Sequence, residues 1–505
     1  METKLLSVTV LCLLSMEGLR AQGASAPFDF AAAWREVEAV FTTQCEQNGV
    51  VGASVAFVRG DSIAASAQRG FADRQSGRAV DGDTIYHWAS CTKTLTGIAT
   101  MQLRDRGRLR LDQPIVELVP ELREVHNLRG QLEAVTVRHL MQHAGGFRAG
   151  TWPWGGESWH PHEPQHWSQL VAMMPYTAIE FGPGSKFAYS NFGIVLLGRA
   201  IEHLSGDDYE VYMEKNVLRP LGMRSSYFDV TPYHQQRHRS HSYARGDGAA
   251  PRDLGPDFDT GITVSNGGLN APISDMARYV SFLLSACPNG SDAAATLERS
   301  SLEEMWVPTL PTGSRAGDEH IGLCFFVQQH GPQRVYTHTG GQRGFVSFFY
   351  VHPASKTGAV GAFNTDSAGP AMAAVRRACI ERLSLRMVET PAAPPAEAAW
   401  KTYSLRLQRD LGKSHELVCT VPSAGHELHY ERAKIEGDVV DVELRMVTPG
   451  MGEVVAQALE DLTVNLPAED LGGSKRARIH ISTWQRGAQY LVEPAHELAA
   501  TFELH

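Results

Sequence analysis

The hydrophobic pattern of this chain changes period near residue 400. Before that point, helix-like and strand-like stretches alternate. Leu95, Ile98, Ala99 and Leu103 recur at the spacing of one helix face, and Gly107 stands where such a helix would stop. Phe192 to Leu204 predicts a second apolar helix, reached after the turn Gly182-Pro183-Gly184. The run GVVGASVAFVRGDSIAASAQRG (49–70) reads as a β-hairpin turning at Arg59-Gly60-Asp61, and short β-like runs flank residues 338–341. AMAAVRRACIERLSLRM predicts a helix over about 371–386 that returns to cover the sheet. ETPAAPPAEAA (389–399) has too few large apolar residues to pack and reads as a Pro/Ala linker. Beyond it the period is two: Tyr403, Leu405, Leu407; Val440, Val442, Leu444, Met446; Leu462, Val464, Leu466; Ile479, Ile481. Residues 400–505 therefore predict a small antiparallel all-β domain, barrel or sandwich.

The first helix opens on Ser90-Cys91-Thr92-Lys93. Positions i and i+3 share a helix face, so the Lys93 amine reaches the Ser90 hydroxyl. A serine hydroxyl is a weak nucleophile until a base takes its proton, and a desolvated lysine can be that base. The helix N-terminus adds unpaired N–H groups that favour a developing oxyanion. Cys91 is next to the serine, but adjacent helical residues point about 100° apart. It reads as a small buried hydrophobe.

Serine and lysine at this spacing recur by chance, so the companions decide. Tyr189-Ser190-Asn191 precedes the second apolar helix, and His338-Thr339-Gly340-Gly341 lies between the β-like runs. In this order S-x-x-K, Y-x-N and H-T-G resemble the serine penicillin-recognising hydrolases: class C β-lactamases, DD-peptidases, D-aminopeptidases and related esterases. LRLDQPIVELVPEL, VTVRHLMQHAGGF (135–147), VLRPLGMRSSYF (217–228) and GGLNAPISDMARYVSFLL (267–284) carry the same resemblance, over about residues 30–388. It implies an α+β fold: an antiparallel sheet flanked by N- and C-terminal helices, plus a helical insert with Ser90 at the junction. It implies catalysis by Ser90, Lys93 and Tyr189, with the Tyr189 phenol shuttling a proton once the Lys93 ammonium lowers its pKa. Asn191 would orient Lys93 and the substrate amide. His338, Thr339, Gly340 and Gly341 would pair with an extended substrate, and the N–H groups of Gly341 and Ser90 would form an oxyanion hole. No cofactor is implied. The C-terminal domain resembles accessory β modules of D-aminopeptidase-like hydrolases and would act as a lid or a stabilising pack.

The third motif departs from the familiar pattern, because a lysine there would give a substrate carboxylate a permanent cation. His338 is mostly neutral near pH 7 and would supply one only below about 6.5. Arg343, three residues past Gly340, is the candidate replacement, since its planar fork suits a carboxylate. Esters, D-amino-acid peptides or amides and β-lactams all remain open as substrates, with neutral ones favoured.

At 505 residues and 43% apolar, the chain has room for two domains or more and a real core. A net charge of −10 argues against nucleic acid or anionic membrane and leaves a small-molecule or peptide substrate as partner. Lys4, the apolar run LLSVTVLCLL and the small residues AQGASA read as a signal peptide over 1–26, too short to span a bilayer. That places the hydrolase domain at 27–388 of an exported, periplasmic or secreted protein. The six remaining cysteines (Cys45, Cys91, Cys287, Cys324, Cys379, Cys419) are scattered, and one or two disulfides are possible. His160, His162 and His166, and again His234, His238 and His241, cluster without a cysteine or carboxylate pattern, so no metal site is expected. Trp152, Trp154 and Trp159 would border the mouth of the cleft. The alternative to a hydrolase is a non-catalytic relative that keeps the fold for binding or assembly. The intact Ser90, Lys93, Tyr189 and Gly341 argue against it.

Overall fold

The computed structural model describes residues 28–153, 164–245, 251–285, 296–314 and 318–388, plus the backbone of strands within 404–503. The signal-like segment, the Pro/Ala linker, Trp154, Trp159, His160, His162 and Cys287 lie outside these residues. The chain divides into two compact units, Met1–Val388 and Glu389–His505.

The first unit is built on a nine-stranded antiparallel sheet. Its order is Arg78–Ala79, Ser62–Asp73, Gly52–Arg59, Thr357–Phe363, Phe345–His352, Gln333–Gln342, Phe326–His330, Glu319–Ile321, Leu310–Pro311. The hairpin expected over 49–70 is the Gly52–Arg59/Ser62–Asp73 pair. Both sheet faces are covered, so the strands bury side chains in both directions. In Phe345–His352 the period of two is direct: Phe348 and Tyr350 pack into one core, Phe345, Phe349 and Val351 into the other. The first core is closed by the helices Phe30–Gln47 and Gly369–Cys379, the second by a helical subdomain inserted between the sheet's halves. The helix Thr92–Asp105 runs through this second core, with Leu95, Ile98, Ala99 and Leu103 buried, and ends at Gly107 (φ 68°). Helix Asn191–Ser205 packs against it.

Among the described residues Cys45, Cys91, Cys324 and Cys379 are buried free thiols, and no helix is long and apolar enough to cross a membrane. The second unit contains a three-stranded sheet (Ser404–Arg409, His415–Val421, Glu460–Leu466) and a four-stranded one (Glu427–Glu436, Val439–Thr448, Arg476–Gln485, Glu497–Glu503). The expectation of a purely antiparallel domain is corrected here: Val439–Thr448 and Arg476–Gln485 pair in parallel. Alternation marks strands and faces but carries no information about the direction of a partner.

Candidate active site

Ser90 sits in a 3-10 turn, Ala89–Cys91, that leads into helix Thr92–Asp105. Ala89 just before it is held at φ 47°, a left-handed conformation that costs an L-residue about 1–3 kcal/mol. Lys93 is 0% exposed, with its Nζ 3.0 Å from Ser90 Oγ and 2.8 Å from the Asn266 carbonyl. That carbonyl is fixed in place: Thr96 donates to the Ser265 carbonyl, and Leu269 N–H donates to Thr92 Oγ1 at 3.1 Å. Burial with no carboxylate partner brings the Lys93 pKa from 10.5 down to about 7. Ser90 itself is half-buried.

Tyr189 lies over Lys93, with Nζ 5.1 Å from the ring centroid, and its hydroxyl hydrogen-bonds the Ser90 side chain. Its loop hangs on the segment 143–149. Ala188 N–H donates to the His143 carbonyl (2.8 Å), Ser190 N–H to His143 Nδ1 (3.1 Å), and Ser190 Oγ to the Arg148 carbonyl (2.6 Å). Asn191 N–H donates to the Ala149 carbonyl (2.6 Å). Between these anchors the His143 ring stacks on Tyr189, centroids 4.4 Å apart at 29°. Ser190 caps the following helix by accepting from Gly193 N–H.

Two expectations are corrected here. Burial dominates at Tyr189 and pushes its phenol pKa up, outweighing its hydrogen bond with Ser90, so the group stays protonated. The nearby lysine does not offset that burial. Nor does the Asn191 side chain hold Lys93. Asn191 Oδ1 is buried without a partner, and the Asn266 carbonyl takes that place.

The strand Gln333–Gln342 carries the third motif. It pairs from Tyr336 to Gln342 with Phe345–His352, and with Phe326–His330 only from Gln333 as far as Thr337. From His338 to Gln342 the other edge has no strand partner among the described residues, which leaves it open to an added extended chain. Gly340 must be glycine, since a Cβ there would lie 2.2 Å from the Trp88 carbonyl, two residues before Ser90. Gly341 faces open space and is exposed. Cys91 lies beneath, its Sγ 3.7 Å from the His338 carbonyl, and burial pushes its thiol pKa up to about 12. It is a packing residue.

His338 is 2% exposed, Nδ1–H donating to the Thr339 carbonyl at 2.7 Å, among Phe326 (centroids 5.1 Å) and Tyr189 (6.4 Å). Burial, reinforced by Lys93, brings its pKa to about 3. The expectation of a protonated His338 below 6.5 is therefore overturned. Arg343 is not its replacement in space either. With Gly344 it forms the two-residue hairpin turn, both at positive φ (40° and 85°), at the far end of the strand.

Asn266, His143 and Phe326 were missed from the sequence. His143 lies in VTVRHLMQHAGGF, a segment that carried resemblance but no assigned role; Asn266 acts through its backbone, which side-chain chemistry does not reveal. Of the histidine clusters, His241 meets carboxylates from other segments. One ligand atom each from Asp73, His241 and Asp253 falls within 4.8 Å. His241 Nδ1 lies 2.9 Å from Asp253 Oδ2, and Asp73 accepts from the Ser76 hydroxyl.

The β-lactamase family model matches residues 37–381. The chain belongs to the β-lactamase family. Among curated relatives, the D-alanyl-D-alanine-carboxypeptidase/endopeptidase AmpH of Escherichia coli (strain K12) is 25% identical over 286 residues, covering 55% of this chain and 70% of that protein. Esterase EstB of Burkholderia gladioli is 29% identical over 224 residues, covering 41% and 56%. The octameric penicillin-binding protein homologue from Pyrococcus abyssi superposes with TM-score 0.60 at 21% identity, over 80% of this chain and 94% of that one. A class C β-lactamase gives TM-score 0.60 at 21% identity, over 71% and 98%. The α+β architecture is thus the β-lactamase/transpeptidase fold of this family.

Proposed function

We propose that this β-lactamase-family protein is an exported serine hydrolase that works through an acyl-enzyme on Ser90. Its substrates would be esters, D-amino-acid peptides or amides, or β-lactams. The observation that carries the reading is Lys93: a wholly buried amine 3.0 Å from Ser90 Oγ, with a pKa near 7. Half of such lysines are free amines at neutral pH, so Lys93 accepts the Ser90 proton as Oγ attacks the carbonyl carbon. The N–H groups of Ser90 and Gly341 hold the oxyanion; loss of one such donor costs about 3–4 kcal/mol of transition-state stabilisation. As the bond to the leaving group breaks, Tyr189 gives that atom its proton and regains one from the Lys93 ammonium. Water then attacks the ester on Ser90, with the same groups moving the proton back. The relatives named above include a peptidase and an esterase, which suits a site whose proton relay is indifferent to the leaving atom.

The test is incubation with a fluorophosphonate and with a fluorescent penicillin, followed by peptide mass spectrometry. An adduct on Ser90, absent from Ser90→Ala, supports the reading. An adduct on another serine, or undiminished ester hydrolysis by Ser90→Ala, overturns it, and no labelling by either probe favours a binding scaffold. Export rests on the N-terminal pattern of residues 1–26, and sequencing the N-terminus of the mature protein tests it.

A further inference from the structure

We propose that the cleft selects an acyl group ending in an anion and a leaving group without one. This rests on the acyl-enzyme reading of Ser90 and adds a direction to it. Gly340 abuts the Trp88 carbonyl next to Ser90, so the reacting carbon lies opposite Gly340 and Gly341. At about 3.3 Å per residue, His338 lies about 7 Å to one side of Gly340 and Arg343 about 10 Å to the other. Tyr189, the group that protonates the leaving atom, stands on the His338 side, stacked near Phe326. The leaving group therefore departs there, and the acyl group runs toward Arg343.

The two sides differ in charge. On the leaving side the walls are His338, neutral in its bond to Thr339, and the rings of Phe326 and Phe187, themselves in edge contact at 6.0 Å. Among the residues named on that side, the one cationic group is Lys93, which is wholly buried and held by Ser90 and the Asn266 carbonyl. On the acyl side Arg343 is exposed, its guanidinium over the Phe258 ring at 5.5 Å, and among the described residues it makes no ion pair. The acids flanking Phe258 are engaged elsewhere: Asp257 accepts from Thr231 (2.6 Å) and Arg239 (3.2 Å), Asp259 from Gly261 N–H (2.7 Å). Phe258 is itself set edge-on to His87 (4.8 Å), and His87 is held by Asn270 and Gln342 at 3.0 Å each. The network thus ends on the residue preceding Arg343. A guanidinium stacked on a fixed ring keeps its planar fork free for a carboxylate.

The experiment compares 4-nitrophenyl glutarate with 4-nitrophenyl valerate, equal in chain length and leaving group. Wild type should favour glutarate in kcat/KM by about five- to tenfold at low salt, the size expected of a solvent-exposed but bidentate pair. The ratio should collapse toward one in Arg343→Ala, fall partly in Phe258→Leu and be partly rescued in Arg343→Lys. A second comparison sets acetyl-D-alanyl-D-alanine against its C-terminal amide, and the amide should be the better substrate. No preference for glutarate, a preference that survives Arg343→Ala, or a faster free peptide would each overturn the proposal. The fluorophosphonate adduct on Ser90 separates the two failures: labelled protein without the preference sinks this inference alone, and unlabelled Ser90 sinks the acyl-enzyme reading beneath it.

Discussion

Lys93 and His338 are both buried beside Tyr189, and burial drives both toward neutrality. The same force has opposite consequences because the groups start from different places. Lysine falls from 10.5 to about 7 and arrives where it exchanges a proton at working pH. Histidine falls from 6.5 to about 3 and leaves that range altogether. In the proposed mechanism one buried nitrogen serves as the base, while the other is a neutral wall with an oriented N–H. Desolvation therefore creates function only where the starting pKa lies one shift above the operating pH.

The largest break in this contrast is Lys93→Arg. A guanidinium does not release its proton, so acylation should fall by about 10³–10⁴-fold, read as the rate of Ser90 labelling. Lys93→Met should lose as much while gaining stability, because it removes a buried charge. The folded-state pKa of about 7 lies below the unfolded value of 10.5, so between those pH values the unfolded chain binds the extra proton and stability rises with pH. The gain from Lys93→Met is then largest below pH 7 and fades toward pH 10. Thermal melts at pH 6 and pH 9.5 check this, and an equal gain at both would contradict a depressed lysine.

Tyr189→Phe should lower acylation about 10²–10³-fold, and combining it with Lys93→Met should cost little more, since either change stops the same proton transfer. A loss in the double variant equal to the product of the single losses would separate their roles. A smaller effect is expected at His143, which holds the residues either side of Tyr189 and stacks on the ring between them. His143→Phe keeps the ring but strands the buried Ser190 N–H; His143→Asn keeps an acceptor but loses the stack. Both should lower kcat by about tenfold with KM little changed, a split that tracks transition-state rather than ground-state contacts. A proportional rise in KM instead would mark His143 as shaping the pocket alone.

Much of this arrangement was legible in the sequence. Ser90 and Lys93 sit at the start of a helix whose apolar stripe marks its buried face, and β-like runs flank residues 338–341. The Tyr189 loop was visible because it follows a Gly-Pro-Gly turn and directly precedes an apolar helix. What was not legible depends on burial and on backbone partners. Spacing brings Lys93 to Ser90, but only the packed site shows that a carbonyl, from Asn266, rather than a side-chain amide holds it. The expected fall in the Tyr189 pKa weighed only the lysine beside it, and burial of the phenol, which spacing does not show, outweighs that neighbour. Arg343 was singled out as the replacement cation, but distance along a strand has a direction, and the turn carries it away from His338.

The smallest expected effect is also the sharpest check on the opening contrast. With His338 titrating near 3, kcat/KM for a neutral ester should rise with pH through a single ionisation near 7, that of Lys93, with no second inflection near 6.5. KM for a carboxylate-bearing peptide should be flat from pH 5 to 8 for the same reason. His338→Lys turns the wall back into a titrating group. Two amines would then share one buried site, and each disfavours protonation of the other. The Lys93 ionisation should therefore move below 7, so that the rising limb for the ester appears at lower pH than in wild type. Affinity for the carboxylate peptide should improve only at pH values where the new lysine holds its proton, and should be lost as pH rises. An unshifted limb in His338→Lys would mean that residue 338 does not sense Lys93. The neutrality of the native histidine would then be a property of its own packing and not of the shared cleft.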